Sequence, residues 1–183
     1  MIISKYYKKK VLSRQGNSNI RPTTAKVRES VFNIIRSFTM KNSLQIHELS
    51  FLDLYCGTGS IGIEAISQGF SYVCFVDKQK KWLKCIEEKL SSIHLNKYSC
   101  LNLNAISFVN RYNRIFDVIF YDPPYQQLDH THVDKIIHYF MKINSLLILE
   151  VNKRINYVIP DTCNLITHKK YGHCQLITIS KIH

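Results

Sequence analysis

Acid, glycine and proline are what this sequence has least of. Thirteen Asp and Glu stand against 25 Lys and Arg, and the 183 residues include only 6 Gly and 4 Pro. So little Gly and Pro excludes collagen-like and low-complexity chains. No apolar run approaches the roughly 18 residues of a membrane-spanning helix. The opening Met-Ile-Ile-Ser-Lys-Tyr-Tyr-Lys-Lys-Lys has no apolar stretch behind its charges, which argues against a secretory signal. The six cysteines never fall in a C-x-x-C pair, so zinc-ribbon and dithiol redox patterns are missing. Cys74, Cys100 and Cys174 lie in apolar, strand-like runs and read as reduced core thiols. His130, His132 and His138 lack a Cys or acid at ligand spacing, so no metal is expected. With 45% hydrophobic and 21% charged residues the chain can bury a core. One soluble, cytoplasmic, monomeric domain is the expectation.

The charge imbalance is local. Residues 1–41 carry ten basic side chains and a single acid, Glu29, whereas the other 142 carry 15 bases and 12 acids. A near-neutral body with a basic arm that includes Lys8, Lys9 and Lys10 fits a polyanionic partner, and nucleic acid is the foremost candidate. A merely solvated, solubilising face is the bland alternative.

Apolar spacing outlines the elements. After a loop at Asn17–Asn19 and a proline-hydroxyl entry at Arg21-Pro22-Thr23-Thr24, Val27, Val31, Ile34, Ile35 and Phe38 recur with helical period. That predicts a helix over about 24–38. From residue 50, short apolar runs alternate with helical patterns. Strands are expected at 51–55, 72–76, near 99–103, at 116–121 and near 145–151. Helices are expected at 60–68, at 79–93 with Trp82, Cys85, Ile86, Leu90 and Ile93 on its stripe, and near 131–141. Two β-rich runs, 163–168 and 174–180, separated by Lys169–His173, read as a hairpin. A short strand within 2–12 is conceivable. Repeated β-α-β with an antiparallel end is an α/β sheet covered on both faces.

Two motifs carry chemistry. In Phe51-Leu-Asp53-Leu-Tyr55-Cys-Gly57-Thr-Gly59-Ser-Ile-Gly62 a strand runs into a glycine turn and a helix start. Glycines permit the sharp turn and a close ligand approach, and the helix start offers free N–H groups. Asp77, twenty residues after Gly57, ends the next strand, where a carboxylate can bind ribose hydroxyls. G-x-G-x-x-G alone is a weak signal for a dinucleotide. Asp53, inside the strand, shifts the reading toward S-adenosylmethionine, because a carboxylate suits an ammonium group and gains nothing beside a pyrophosphate.

The second motif, Asp122-Pro123-Pro124-Tyr125, follows the strand 116–121. Ligands of open α/β sheets bind at that carboxyl edge, so both motifs should face one crevice. The prolines stiffen the loop, and Tyr125 offers a ring on which a base can stack. An Asp122 carboxylate oxygen and the Pro123 carbonyl can accept the two hydrogens of an exocyclic amine. The amine is then held more tetrahedral, with its lone pair aimed at a methyl donor, and the positive charge that develops on nitrogen is stabilised.

These motifs resemble the class I S-adenosylmethionine-dependent methyltransferases. Arg21-Pro22-Thr23-Thr24-Ala-Lys-Val27-Arg28-Glu29-Ser-Val-Phe32-Asn33 is more selective: it is similar to the R-P-T-x-x-x-V-R-E-x-x-F-N segment of the RsmD family, guanine-N2 methyltransferases of 16S ribosomal RNA. The likeness continues through Gly62-Ile-Glu64-Ala65-Ile-Ser67, Asn104-Ala105-x-x-Phe108, Leu149-Glu150 and Lys169-Lys170-Tyr171-Gly172. It implies a Rossmann-like, seven-stranded, mostly parallel sheet with a reversed last strand. It implies methyl transfer to a guanine of small-subunit rRNA, with S-adenosylhomocysteine as the by-product. Asp53, Tyr55, Gly57 and Gly59 would hold the cofactor, Asp77 its ribose, and Asn104 and Ala105 its adenine. Asp122, Pro123 and Tyr125 would handle the base. Lys8, Lys9, Lys10, Arg21, Thr23, Thr24 and Arg28 would face RNA, the last four also able to close over the cofactor. Residues 1–41 would be an RNA-facing arm and helix packed on a methyltransferase domain, 42–183. Ser4, Lys5 and Lys9 stand where the family's arm has glycines. An adenine-N6 DNA or RNA methyltransferase shares the D-P-P-Y chemistry and is the alternative. A nicotinamide oxidoreductase would leave that loop and the basic arm unexplained, and a non-catalytic RNA-binding module is the remaining class.

Overall fold

The computed structural model describes residues 23–91, 98–112, 114–124 and 128–182. The possible strand at 2–12, the loop at 17–19, Lys8 to Lys10, Arg21, Pro22, Ile93 and Tyr125 lie outside them.

In chain order the elements are α1 (Ala25–Lys41), β1 (Ser50–Leu54), α2 (Ser60–Gln68), β2 (Tyr72–Val76), α3 (Lys80–Leu90), β3 (Tyr98–Leu101), α4 (Ala105–Arg111), β4 (Phe116–Tyr121), α5 (His130–Phe140), β5 (Met141–Asn152), β6 (Cys163–Tyr171) and β7 (Cys174–Lys181). One seven-stranded sheet has the order β3-β2-β1-β4-β5-β7-β6. The first five strands of that order are mutually parallel, and β7 runs against both β5 and β6. The strand order reverses between β1 and β4, which opens a crevice at the strands' carboxyl ends.

Strand alternation divides the core in two. Phe51, Val73, Phe75, Val118, Phe120, Leu146 and Ile148 pack under α1, α2 and α3. Leu52, Leu54, Val76, Ile119, Tyr121, Leu147 and Leu149 pack against α4 and α5. With both faces covered, the central strands are apolar on both sides.

α1 has the expected stripe, with Val27, Val31, Ile34, Ile35 and Phe38 all buried. Thr24 caps it, its Oγ1 accepting the Val27 N–H at 3.3 Å. The stripe of α3 is Leu83, Ile86 and Leu90, not the expected line through Trp82 and Cys85, which are only partly covered. α4 was not legible in the apolar pattern: seven residues with three buried positions make too short a helical period. β5 begins directly after α5 instead of near 145, and the hairpin turn is Gly172-His173 alone, because Lys169 and Lys170 pair with Leu176 and Gln175. Gly172 at φ +55 supplies the left-handed step.

All six cysteines are free thiols. Burial raises Cys74 to about 11 and, with Glu87, Cys100 to about 12, as befits packed hydrophobes. No helix of the described residues is long and apolar enough to cross a membrane.

Candidate active site

β1 ends in a backbone built to turn. Tyr55 lies at φ +63, Gly57 at +49 and Gly59 at +75. Tyr55 is the costly one, since a side chain disfavours that region. The loop is braced from three sides. The Cys56 N–H donates to the Val76 carbonyl at 3.1 Å, the Gly59 N–H to Cys56 at 2.8 Å, and Lys89 Nζ of α3 to the Thr58 carbonyl at 3.3 Å.

The three glycines answer to different constraints. A Cβ on Gly57 would meet only the Tyr55 carbonyl, at 4.0 Å, so the backbone there is open to a ligand. A Cβ on Gly59 would lie 2.6 Å from Ile86, and one on Gly62 only 2.2 Å from the Phe75 ring. Gly62 therefore serves helix-sheet packing.

Asp53 is 1% exposed, and its carboxylate accepts the Gly62 N–H at 2.8 Å, at the start of α2. Burial drives its pKa up, against that hydrogen bond, from 3.8 to about 7. A ligand's ammonium group would favour the ionised form. Asp77 accepts the Gly57 N–H at 3.0 Å and the Gln79 N–H at 2.8 Å. Each of its oxygens keeps acceptor capacity for ribose hydroxyls. Asn104 caps α4, its Oδ1 accepting the Ile106 N–H at 2.9 Å.

Asp122 begins where β4 stops, its N–H 3.5 Å from the Leu54 carbonyl. Burial raises its pKa, and the Glu150 and Asp53 charges add to the rise. The pairing of Asp53 with Phe120 and of Leu54 with Tyr121 sets the carboxylates of both motifs on adjacent strands near one sheet edge. Asp53, Asp122 and Glu150 share the parity of Phe51, Phe120 and Ile148, the α1 side of the sheet. On that side a cavity of about 500 Å³ is lined by Thr23, Thr24 and Lys26 of the α1 entry, by Asp122 to Pro124, by Glu150 to Asn152, and by the tip of the β6–β7 hairpin. The hairpin is fastened to α1 by a hydrogen bond from Tyr171 Oη to Ser30 Oγ. Arg28, a turn beyond Thr24, is not part of that lining.

The opposite parity holds a buried polar chain. Tyr121 Oη lies 3.1 Å from His132 Nδ1, and His132 Nε2 lies 3.3 Å from the Ala105 carbonyl. Since a carbonyl only accepts, Nε2 carries the hydrogen and Nδ1 takes one from Tyr121. Burial lowers the His132 pKa and keeps the ring neutral. The Tyr55 ring meets Tyr121 edge-on at 5.5 Å. One network thus ties the glycine loop, the strand before Asp122 and the Asn104-Ala105 corner. His130 stacks on Tyr157 and His138 packs edge-on against Tyr139, so the three histidines do not converge.

The Conserved hypothetical protein 95 family, which is the RsmD family of the resemblance above, matches residues 1–180. The chain belongs to it. The chain is 31% identical over 172 residues to Ribosomal RNA small subunit methyltransferase D of Buchnera aphidicola subsp. Baizongia pistaciae, covering 92% of this chain and 84% of the relative. A protein of the same name from Haemophilus influenzae is 25% identical over 177 residues, 93% of this chain and 88% of its own. Among solved structures, yhhF of Escherichia coli superposes with a TM-score of 0.77 at 21% identity, over 89% of this chain and 88% of that one. At that identity the likeness speaks for the fold. This RsmD-family member is an S-adenosylmethionine-dependent rRNA methyltransferase.

Sequence reasoning placed Glu150 only within the resemblance, and did not place Lys26 or Asn152 at the site. An acid near the carboxyl end of an apolar strand was the available signal for Glu150, akin to Asp77 and Asp122, which directly follow theirs.

Proposed function

We propose that the chain methylates the exocyclic N2 amine of one guanine in small-subunit rRNA, acting in the cytoplasm as a monomer. The observation that carries the reading is the meeting of the Asp53 loop and Asp122 at one sheet edge, beside a cavity of base-binding size that Asp122 lines.

The residues present fit S-adenosylmethionine. Asp53 and Asp77 would face its ammonium and ribose, the open backbone at Gly57 would lie along it, and Asn104 and Ala105 would border its adenine. When bound, it supplies the sulfonium methyl group. Asp122 and the Pro123 carbonyl accept the two N–H bonds of the guanine amine and fix its lone pair in line. Tyr125 stacks on the base. Asp122 stabilises the charge that grows on nitrogen, and the proton leaves to solvent afterwards. Residues 1–41, with Lys8, Lys9, Lys10, Arg21, Thr23, Thr24 and Arg28, form the RNA-facing part.

The test is mass-spectrometric mapping of small-subunit rRNA from cells lacking the gene, complemented with wild type or Asp122→Ala. One guanine should lose its N2-methyl group, wild type should restore it, and Asp122→Ala should not, while its RNA binding persists. A missing methyl on adenine, or methylation of duplex DNA in place of ribosomal subunits, overturns the guanine reading.

A further inference from the structure

We propose that Glu150 accepts the N1–H of the target guanine beside Asp122, and thereby selects a guanine edge over an adenine-type edge. The proposal rests on the guanine-N2 reading and adds the residue that chooses the base.

Position comes first. β4 and β5 are parallel neighbours with Tyr121 opposite Leu149, so Asp122, just past the end of β4, falls at the register position next to Glu150, which is still paired with Leu176 inside β5. Both fall on the α1 side, and both line the same cavity with Pro123 and Pro124. A base whose 2-amino group reaches Asp122 presents its next edge atom, N1, toward the adjoining strand end.

The chemistry of the two edges differs at that atom. Guanine offers two adjacent donors, N1–H and N2–H, and an ionised carboxylate is an acceptor only. Two neighbouring carboxylates therefore match guanine. Adenine and its analogues carry a lone pair at N1, which an ionised Glu150 repels. A site made to accept a hydrogen bond rejects a ligand that lacks the donor, because its buried acceptor is left unsatisfied.

The electrostatics agree. Glu150 is one of the charges that push the Asp122 carboxyl up. Like charges so placed do not both ionise readily without compensation. The guanine N2–H arriving at Asp122 favours its ionised, acceptor form.

The experiment uses the full-length enzyme and small-subunit RNA in which the mapped guanine alone is replaced by 2,6-diaminopurine. That base keeps the 2-amino group but has no hydrogen on N1. Wild type should prefer guanine in kcat/KM by on the order of 10–100-fold. Glu150→Gln, whose amide can donate to an unprotonated N1, should narrow the preference at least tenfold. Glu150→Asp, which keeps the charge but withdraws it, should lose activity on guanine while still preferring it. Equal wild-type rates on the two bases overturn the proposal, as does an unchanged preference in Glu150→Gln. If Glu150→Gln does not fold, the Glu150→Asp pattern decides: full activity on guanine, or no preference, overturns it. Failure of the underlying reading looks different, since wild type would then not methylate the guanine RNA at all.

Discussion

Replacing Asp53 by Asn should make this protein more stable and less able to bind its cofactor. Asp53 is 1% exposed, and burial lifts its carboxyl from 3.8 to about 7. Between those two values the folded chain holds a proton that the unfolded chain has released. Stability therefore falls as pH rises through that window, and the full cost is present above the folded pKa. Three pH units at 1.36 kcal/mol each come to about 4 kcal/mol as a ceiling. Asn removes the charge while its Oδ1 can still accept the Gly62 N–H. Urea denaturation of the cofactor-free proteins at pH 4.5 and 8.5 should show a small difference at the lower pH. At the higher pH the variant should be more stable by roughly 1–4 kcal/mol. Saturating S-adenosylmethionine should then stabilise wild type by mass action and the variant much less. Stability curves that run parallel from pH 4.5 to 8.5 would refute the assignment of the cost to Asp53.

Gly62→Ala should destabilise by about 1–3 kcal/mol, because its methyl lands on the Phe75 ring, and Phe75→Leu should recover part of the loss in a double-mutant cycle by thermal melting. Burial raises Asp117, but hydrogen bonds from Lys142 and Ser50 outweigh it and hold the carboxyl below its ordinary value. Its contribution is complete above the unfolded pKa of about 3.9 and is lost as pH falls through the lower folded value, so Asp117→Asn should flatten the acid limb of a denaturation series. Replacing Lys8, Lys9 and Lys10 by Gln should weaken RNA binding and lower the slope of log K against log salt by roughly 0.7–0.9 for each phosphate that is no longer neutralised. A slope equal to wild type would mean that these lysines do not touch phosphate.

What could be read without coordinates was what local chain geometry dictates. The glycine turn, the acid that ends β2 and the proline loop after β4 each fit within a dozen residues, and each has one backbone solution. Strand alternation gave the sheet its two buried faces. α4 escaped because seven residues span barely two turns, with its identity set by the Asn104 cap and by packing on α5. The hairpin read too loose because two lysines look like a turn, yet they are strand positions whose chains point to solvent.

The opposite wall of the cavity could not have come from spacing, because it depends on register. Nothing near residue 150 in the chain says that it lies beside residue 122; that follows from pairing Tyr121 with Leu149. The same holds for Tyr171, more than a hundred residues from the Ser30 hydroxyl that receives its hydrogen bond. Parallel strands make such contacts without sequence proximity, and their shared direction carries the acids at or near their carboxyl ends to one edge. Asp53 is buried, Asp122 and Glu150 are half-buried, and the Asp53 and Glu150 charges both raise the Asp122 carboxyl, so a cation or N–H donor that reaches Asp53 or Asp122 favours the ionised form there. A cofactor ammonium at Asp53 screens one of the charges that push the Asp122 carboxyl up, and so eases the ionisation of Asp122 that the guanine amine needs, which ties binding of one to binding of the other. The two should therefore bind with positive coupling, and Asp53→Asn should diminish it by removing the charge that both ligands screen.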